Sequence, residues 1–475
     1  MINKVNPKRQ IFIYLLFDFL AAASAWSLFF IFRKLYIEPE KFGYDIPIDF
    51  NDTFYKAVII LPLIWILFYH ITGRYKNIYR QSRLKELWQT FATTIIGVTF
   101  IFFLLILDDQ IGDYHNYYQS YFTLLLLHFI FTYLPRVFIT TITNHRIQNK
   151  EIGFNTLVIG NNNQSVDLLK KIHQSPKSPG YIFVGYIPID NHEHSNLSDF
   201  MPKLGSLNDL KNIIKKHEIQ EVIIAIESSH QNKIEEIINT INGAKVVIKM
   251  IPSMYDMLTG HVHMSSLYGE PLIQISQELM PEWQANVKRI LDIVFSIIAI
   301  IILLPVFIIL SIAVKFSSKG PIFFTQERIG RYGKPFTIYK FRTMYIDAEK
   351  GGPALSSQND SRITPLGKFL RQVRLDELPQ FWNVIKGDMS LVGPRPERQF
   401  FIDQILPRAP YFIHLQKIRP GITSWGQVKF GYAQDVDEMI ERLKYDIVYL
   451  ENMSLYADFK ILIYTILIIL KRKGK

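Results

Sequence analysis

Four long apolar runs, at residues 11–32, 57–72, 88–107 and 120–142, alternate with short charged loops in the first third of the chain. A helix of about 20 apolar residues crosses a bilayer. The pattern therefore predicts a membrane α-helical bundle over residues 1–150. Pro62 and Pro135 fall inside two of the runs and are expected to kink those helices rather than forbid them. The first run lacks the short apolar core and small-residue cleavage site of a signal peptide. Lys4, Lys8 and Arg9 precede it, Arg74, Lys76, Arg80, Arg83 and Lys85 fill the second loop, and Arg146 and Lys150 follow the fourth run. The other loops are acid-rich, with Glu38, Glu40, Asp45, Asp49 and Asp52 in one and Asp108, Asp109 and Asp113 in the next. This bias predicts that both ends of the bundle are cytoplasmic. Asp18 and His128 stand out as ionisable groups within the runs. An ion pathway uses more than that, so an anchoring bundle is predicted.

From Phe154 the period changes. Short β-branched runs (TLVIG, YIFVGYIPI, EVIIAIE, KVVIKMI) alternate with helically spaced ones (VDLLKKI, LNDLKNIIKKH, KIEEIINTIN). That alternation predicts an α/β Rossmann-like domain with a parallel sheet over residues 151–280. A dinucleotide site would carry G-x-G-x-x-G after the first strand, whereas this chain has GNNNQS with Gly160 alone. Without the later glycines the backbone cannot approach a pyrophosphate closely, so no bound dinucleotide is expected. Dimerisation, regulation and spacing all remain open as its role.

A further apolar run covers residues 290–314. Lys288 and Arg289 precede it, while Lys315, Lys319, Arg328 and Arg331 follow. Positive charge at both ends argues for both ends on one side. Pro305, near the middle, removes a backbone donor and breaks the helix there. A re-entrant membrane helix that dips in and returns satisfies both facts. The last apolar stretch, 456–470, is short for a span and predicts an interfacial helix.

The densest chemistry lies in RQVRLDELPQFWNVIKGDMSLVGPRPE, residues 371–397. Its centre is an adjacent carboxylate pair, Asp376 and Glu377, set among Arg371, Arg374, Lys386 and Arg395, the last locked between Pro394 and Pro396. Pro379 suits a helix start and Gly387 a helix stop, which puts Asp376 near a helix N-terminus that favours its anion. An anionic Asp ringed by cations suits phosphoryl chemistry, either as a nucleophile on phosphorus or as a holder of Mg2+. Upstream, GPIFFTQERIGRYGKPFTIYKFRTM reads as turn-linked strands ending in Lys340, Arg342 and Thr343, further candidates for phosphate contacts.

Composition narrows the field. The 475 residues exceed one typical domain, and the chain has no cysteine, which excludes disulfides, thiolate metal sites and Cys nucleophiles. The net charge of +11 fits nucleic acid, an anionic membrane or phosphorylated substrates. No nucleic-acid motif accompanies it, and the basic residues sit beside apolar runs, so a membrane partner is expected and nucleic acid is not.

The segment from Lys288 onward resembles the bacterial sugar transferase family, the polyprenyl-phosphate phosphoglycosyl transferases. The likeness rests on KGPIFFTQERIGRYGKPFTIYKFRTM, RITPLGKFLRQVRLDELPQFWNVIKGDMSLVGPRPE and RPGIT. With the bundle and the α/β domain ahead of it, the chain looks like a large member of that family. The resemblance implies an α+β monotopic catalytic domain over residues 281–475, with a re-entrant helix at 290–314. It also implies a bacterial inner-membrane enzyme with its catalytic domain on the cytoplasmic face. Such an enzyme moves sugar-1-phosphate from a UDP-sugar to undecaprenyl phosphate and releases UMP, beginning exopolysaccharide, capsule or O-antigen synthesis. The implied catalytic pair is Asp376, as nucleophile forming a phospho-aspartyl adduct, and Glu377. Mg2+ would be held by the same two carboxylates. Lys340, Arg342, Arg374 and Arg395 are the expected phosphate contacts, and a homodimer is expected. Some members carry Ser before the breaking proline, where this chain has Leu304. A membrane-bound NAD-dependent nucleotide-sugar dehydratase or epimerase is the competing reading, and GNNNQS opposes it. A non-catalytic scaffold is the third, and the dyad opposes that.

Overall fold

The computed structural model describes residues 3–106, 114–189, 196–226, 231–241, 244, 246–252, 272–275, 279–348, 360–431 and 433–470. The acidic stretch 108–113 and the basic tail 471–475 lie outside the described residues. The chain divides into two compact units, Met1–Ile234 with Lys245–Ile275, and Glu235–Ala244 with Ser276–Lys475.

The first unit begins with a two-residue strand, β1 (Asn3–Lys4), and helix α1 (Pro7–Phe32), whose path continues through a π-turn into α2 (Glu38–Phe42). Helices α3 (Asp52–Ile71), α4 (Arg83–Ile101) and α5 (Tyr114–Gln148) follow. Four helical stretches, Pro7–Glu40, Asp52–Ile71, Arg83–Leu105 and Tyr114–Gln148, are long and apolar enough to cross a membrane. Three of the helices start on side-chain caps, Asn6, Asn51 and Ser82, each accepting from a backbone N–H three residues on. Pro62 and Pro135 lie inside α3 and α5, which run on past them.

A buried ion cluster ties this bundle together. Arg136 of α5 donates to Asp18 of α1 through Nε at 2.8 Å and Nη2 at 2.6 Å, and to Glu86 of α4 through Nη1 at 3.1 Å. Arg74 donates to the same Glu86 oxygen at 2.6 Å, and the Tyr75 hydroxyl donates to Asp18 at 2.8 Å. Two acids face two guanidinium groups, and all four are buried. Arg136 lies inside the fourth apolar run, yet hydropathy left it unremarked beside Asp18 and His128. His128 is accounted for nearby: it meets the Tyr69 hydroxyl at 2.9 Å and stacks on Trp65.

The sheet of this unit contains β2 (Ile152–Ile159), β3 (Tyr181–Ile187), β4 (Glu221–Ile224), β5 (Val247–Met250) and β6 (Ile273–Ile275). Its order is β1-β2-β4-β5-β6, with β3 also on β2; all pairs are parallel except β5 with β6. Helices α6 (Asn163–Gln174) and α7 (Leu210–Lys216) occupy intervals of this unit, and α8 (Gln231–Ile241), which follows β4 in the chain, runs across the division at residue 234. β1 pairs Asn3 with Ile152 and Lys4 with Gly153, so the residues ahead of the first membrane helix close the start of β2. Arg80, between α3 and α4, donates to the buried Glu221 at 2.6 Å, and Lys249 donates to the other Glu221 oxygen at 2.7 Å. At the far end of β2, Gly160 has φ +126°, and a Cβ there would lie 2.2 Å from the Ala225 carbonyl oxygen. Asn162 caps α6 by accepting from Ser165 N and Ser165 Oγ, both at 3.0 Å.

The second unit opens with α9 (Glu282–Ile302) and α10 (Leu304–Ser317), bent by 64° at Leu303. Pro305 sits in the first turn of α10, where its missing N–H costs nothing, while its ring forbids a straight continuation from α9. The foot of α9 is bonded to the body of the unit. Lys288 donates to Asp458 at 2.6 Å and to the Val392 carbonyl at 3.0 Å. Arg289 donates to the Val384 and Ile385 carbonyls, and Asp292 accepts from Ser390 Oγ at 2.7 Å and Leu391 N at 3.1 Å. The basic pair that reads as a topology signal is thus also a structural anchor.

The body comprises the hairpin β7 (Phe323–Ile329) and β8 (Pro335–Phe341), helices α11 (Pro365–Gln372) and α12 (Gln380–Lys386), β9 (Ser390–Val392), α13 (Gln399–Ile405), β10 (Gly421–Thr423), α14 (Trp425–Lys429), α15 (Val436–Glu451) and α16 (Leu455–Leu470). Its core gathers Val384, Met389, Val392, Ile402, Ile405, Leu443 and Leu450. α16 buries Ile461 and leaves Tyr456, Phe459 and Ile466 exposed, a one-sided helix.

Candidate active site

Helix α11 starts on Thr364, whose hydroxyl accepts from Gly367 N at 2.9 Å, and ends at Val373. Arg374 then takes a left-handed conformation with φ +56°, which costs a non-glycine residue on the order of 1–3 kcal/mol. That conformation starts a 3-10 turn, Leu375–Glu377, which carries the dyad directly ahead of α12. Pro379 is the residue before α12, and Gly387 ends it at φ +99°. Both punctuation marks stand where their chemistry places them.

Glu377 is buried and collects cations. Lys340 of β8 donates to its Oε1 at 2.8 Å, Arg395 lies 3.6 Å from the same oxygen, and Arg374 lies 3.6 Å from Oε2. Burial alone would raise its pKa, but the three cations, led by Lys340, outweigh that and hold it well below the usual carboxylate range. Asp376 is equally buried yet makes no hydrogen bond or ion pair among the described residues. Burial raises its pKa first; Lys340 opposes that, and the Glu377 charge adds to it. Lys340 is itself lowered, by burial and then by Arg395 against the pull of Glu377.

The cations are held by backbone architecture. The side-chain amide of Asn383 bridges β8, accepting from Tyr339 N at 3.1 Å and donating to the Thr337 carbonyl at 2.7 Å, which fixes the strand carrying Lys340 against α12. Arg395 sits in a turn pinned on both sides: Gly421 N donates to the Pro394 carbonyl at 2.9 Å, and Arg328 donates to the Pro396 carbonyl at 3.2 Å. A shallow, open cleft is lined by this turn together with Ile329, Phe412 and Ile418.

Lys340, Arg374 and Arg395 therefore converge on the dyad. Arg342 does something else: its Nη2 donates to the Ser318 carbonyl at 2.5 Å, Ser318 Oγ at 3.0 Å and the Val314 carbonyl at 3.3 Å, at the end of α10. Lys386, counted in the ring from sequence, is exposed and pairs with Asp388 at 3.5 Å. Thr343 accepts from Arg371 Nε at 2.9 Å. Sequence reasoning passed over Asn383 and Asp292, because a polar residue among apolar neighbours gives no sign of which backbone it will bridge.

A buried carboxylate without a partner beside a second one neutralised by three cations can attack an electrophile that itself carries negative charge. As for a divalent ion, Asp376 offers free oxygens, whereas both Glu377 oxygens already face cations. Among the described residues no group of three or more acidic or histidine side chains forms a metal cage. The fit is to an ion held by one or two carboxylates and completed by substrate phosphates.

A family model described as "Bacterial sugar transferase" matches residues 283–472, and one described as "CoA-binding domain" matches residues 70–252. A UDP-N-acetylgalactosamine-undecaprenyl-phosphate N-acetylgalactosaminephosphotransferase of Aeromonas hydrophila is 39% identical over 49% of this chain and 54% of its own length. A UDP-glucose:undecaprenyl-phosphate glucose-1-phosphate transferase of Escherichia coli is 31% identical over 55% of this chain and 57% of its own. An uncharacterized sugar transferase of Haemophilus influenzae is 31% identical over 67% of this chain and 69% of its own. The match thus spans little more than half the length of the first two relatives.

Proposed function

The chain belongs to the bacterial sugar transferase family, and we propose that it transfers a sugar-1-phosphate from a UDP-sugar to undecaprenyl phosphate, releasing UMP. The observation that carries this reading is the buried carboxylate of Asp376, without a hydrogen bond or ion pair among the described residues, beside a Glu377 that faces three cations. Asp376 Oδ attacks the phosphorus bearing the sugar. The P–O bond to the UMP phosphate breaks, and UMP leaves with the bridging oxygen and its electron pair. An oxygen of undecaprenyl phosphate then attacks the same phosphorus, the Asp376–phosphorus bond breaks, and the carboxylate is restored. Lys340, Arg374 and Arg395 offset the charge of the diphosphate, and Glu377 keeps those cations in place. Asp376, with Glu377 as the second candidate, would hold Mg2+, which would supply further charge neutralisation for the diphosphate.

In this reading the α9–α10 pair is a re-entrant hairpin, the catalytic unit faces the cytoplasm at the inner membrane, and the α/β sheet is a Rossmann-like domain without a bound dinucleotide. The product would begin a surface polysaccharide: exopolysaccharide, capsule or O-antigen. The test is a UDP-sugar panel, with sugar phosphate radiolabelled and the lipid acceptor withheld. Label should stay on the protein with one sugar and leave when undecaprenyl phosphate is added. UMP release with no label on the protein at any time would overturn the covalent step.

A further inference from the structure

Four consecutive residues at the end of β8 each hold a different part of the second unit. Lys340 is bonded to Glu377. Phe341 is buried among Leu310 and Val314 of α10 and Leu370 of α11, and Leu375 and Leu378, which flank the dyad, pack on the same cluster. Arg342 caps the end of α10. Thr343 accepts from Arg371 Nε, and its carbonyl takes the N–H of Thr364 at the start of α11.

Arg342 is the unusual member. It is 6% exposed, and no carboxylate forms an ion pair with it among the described residues. A buried cation without an anion is expensive. What faces it is the carbonyl end of α10, the negative end of a helix dipole. Its seat also requires Gly320: φ there is +133°, and a Cβ would lie 2.2 Å from Arg342 Nη1. Arg342 thus joins the apolar helix to the strand that carries Lys340, two residues from the cation that holds the dyad.

We propose that Arg342 is a positioning residue that sets the dyad at the depth of the lipid acceptor's phosphate, rather than a contact for the donor's phosphates. The proposal rests on the transferase reading above. The donor comes from water and meets the cations around Glu377, none of which Arg342 touches. The acceptor's phosphate comes from the bilayer, at a height fixed by where α10 leaves it. Loosening the joint therefore disturbs the second half of the reaction and spares the first.

The experiment separates the halves in full-length protein reconstituted into liposomes. Exchange of labelled UMP into UDP-sugar, without acceptor, reads the first half; the KM for undecaprenyl phosphate reads the second. Arg342→Gln is expected to raise that KM about 10- to 100-fold, the scale of an ångström-level misplacement, with UMP exchange kept within about twofold. Arg342→Lys should recover part of the loss. Gly320→Ala should reproduce it by pushing the Arg342 side chain from its seat without replacing the residue, and serves in its place if Arg342→Gln does not fold by size exclusion. Equal loss in both halves would make Arg342 a donor contact or a general structural support, and no change in either would remove its role; both results overturn the proposal. Failure of the unmodified protein to exchange UMP would refute the transferase reading itself.

Discussion

Two clusters of buried charge, one in the bundle and one around the dyad, are built on opposite plans. In the bundle, Asp18 and Glu86 meet Arg74 and Arg136 one for one, with Tyr75, Gln89 and Thr90 taking further bonds. In the second unit, one acid, Glu377, gathers three cations, and Asp376 beside it makes no hydrogen bond or ion pair among the described residues. A closed, neutral cluster is a structural clasp between helices. An open cluster with surplus positive charge and an idle carboxylate is arranged for a ligand that brings its own negative charge. Burial alone does not separate them; the matching of charges does.

The contrast is broken or sharpened most strongly at its two centres. Asp376→Asn should lower UMP release by roughly 1000-fold or more, as removal of a nucleophile does, with the detergent melting temperature unchanged. A loss of only a few-fold would reduce the second cluster to the same structural status as the first. Arg136→Met should do the reverse. It leaves Asp18 and Glu86 short of a cation, which costs about 3–5 kcal/mol and shows as a large drop in melting temperature, while activity per folded molecule is kept. Full stability in that variant would mean that the clasp holds nothing.

A smaller effect should appear in the pH profile. Burial and Glu377 together raise the Asp376 pKa, and its anion is the attacking species. As pH falls through that raised value the nucleophile is protonated, so kcat/KM should fall on an acid limb above the ordinary Asp value of about 4. A limb at or below that value would show that Asp376 is not held up by burial. The smallest effect belongs to Lys386→Ala. Because the side chain is exposed and pairs with Asp388, stability should move by no more than about 0.5 kcal/mol and the rate should not change.

What the sequence made legible follows from range. A single proline bends α9 from α10 because its ring acts on its own turn, and the four long apolar helices announce themselves by length. The dyad is legible because its two acids are adjacent. Arg136 and Asp18 stand 118 residues apart, and no local pattern links an arginine in one apolar run with an aspartate in another. Arg342 resembles Lys340 in sequence, and only the fold sends one to the dyad and the other to the end of α10. The pairing of β1 with β2 involves two residues, too few to leave a period.

That short pairing also imposes a schedule on synthesis. Asn3 and Lys4 bond to Ile152 and Gly153. At about 5–20 residues per second, the partner strand is made roughly 7–30 s after the first strand has left the ribosome's active centre. All four long apolar helices are made in that interval. The leading residues must wait, unpaired, while the membrane machinery handles everything between them and their partner. The β1–β2 pair can form only once all four helices and β2 itself have been made. Two residues of backbone pairing thus span the synthesis of the whole bundle.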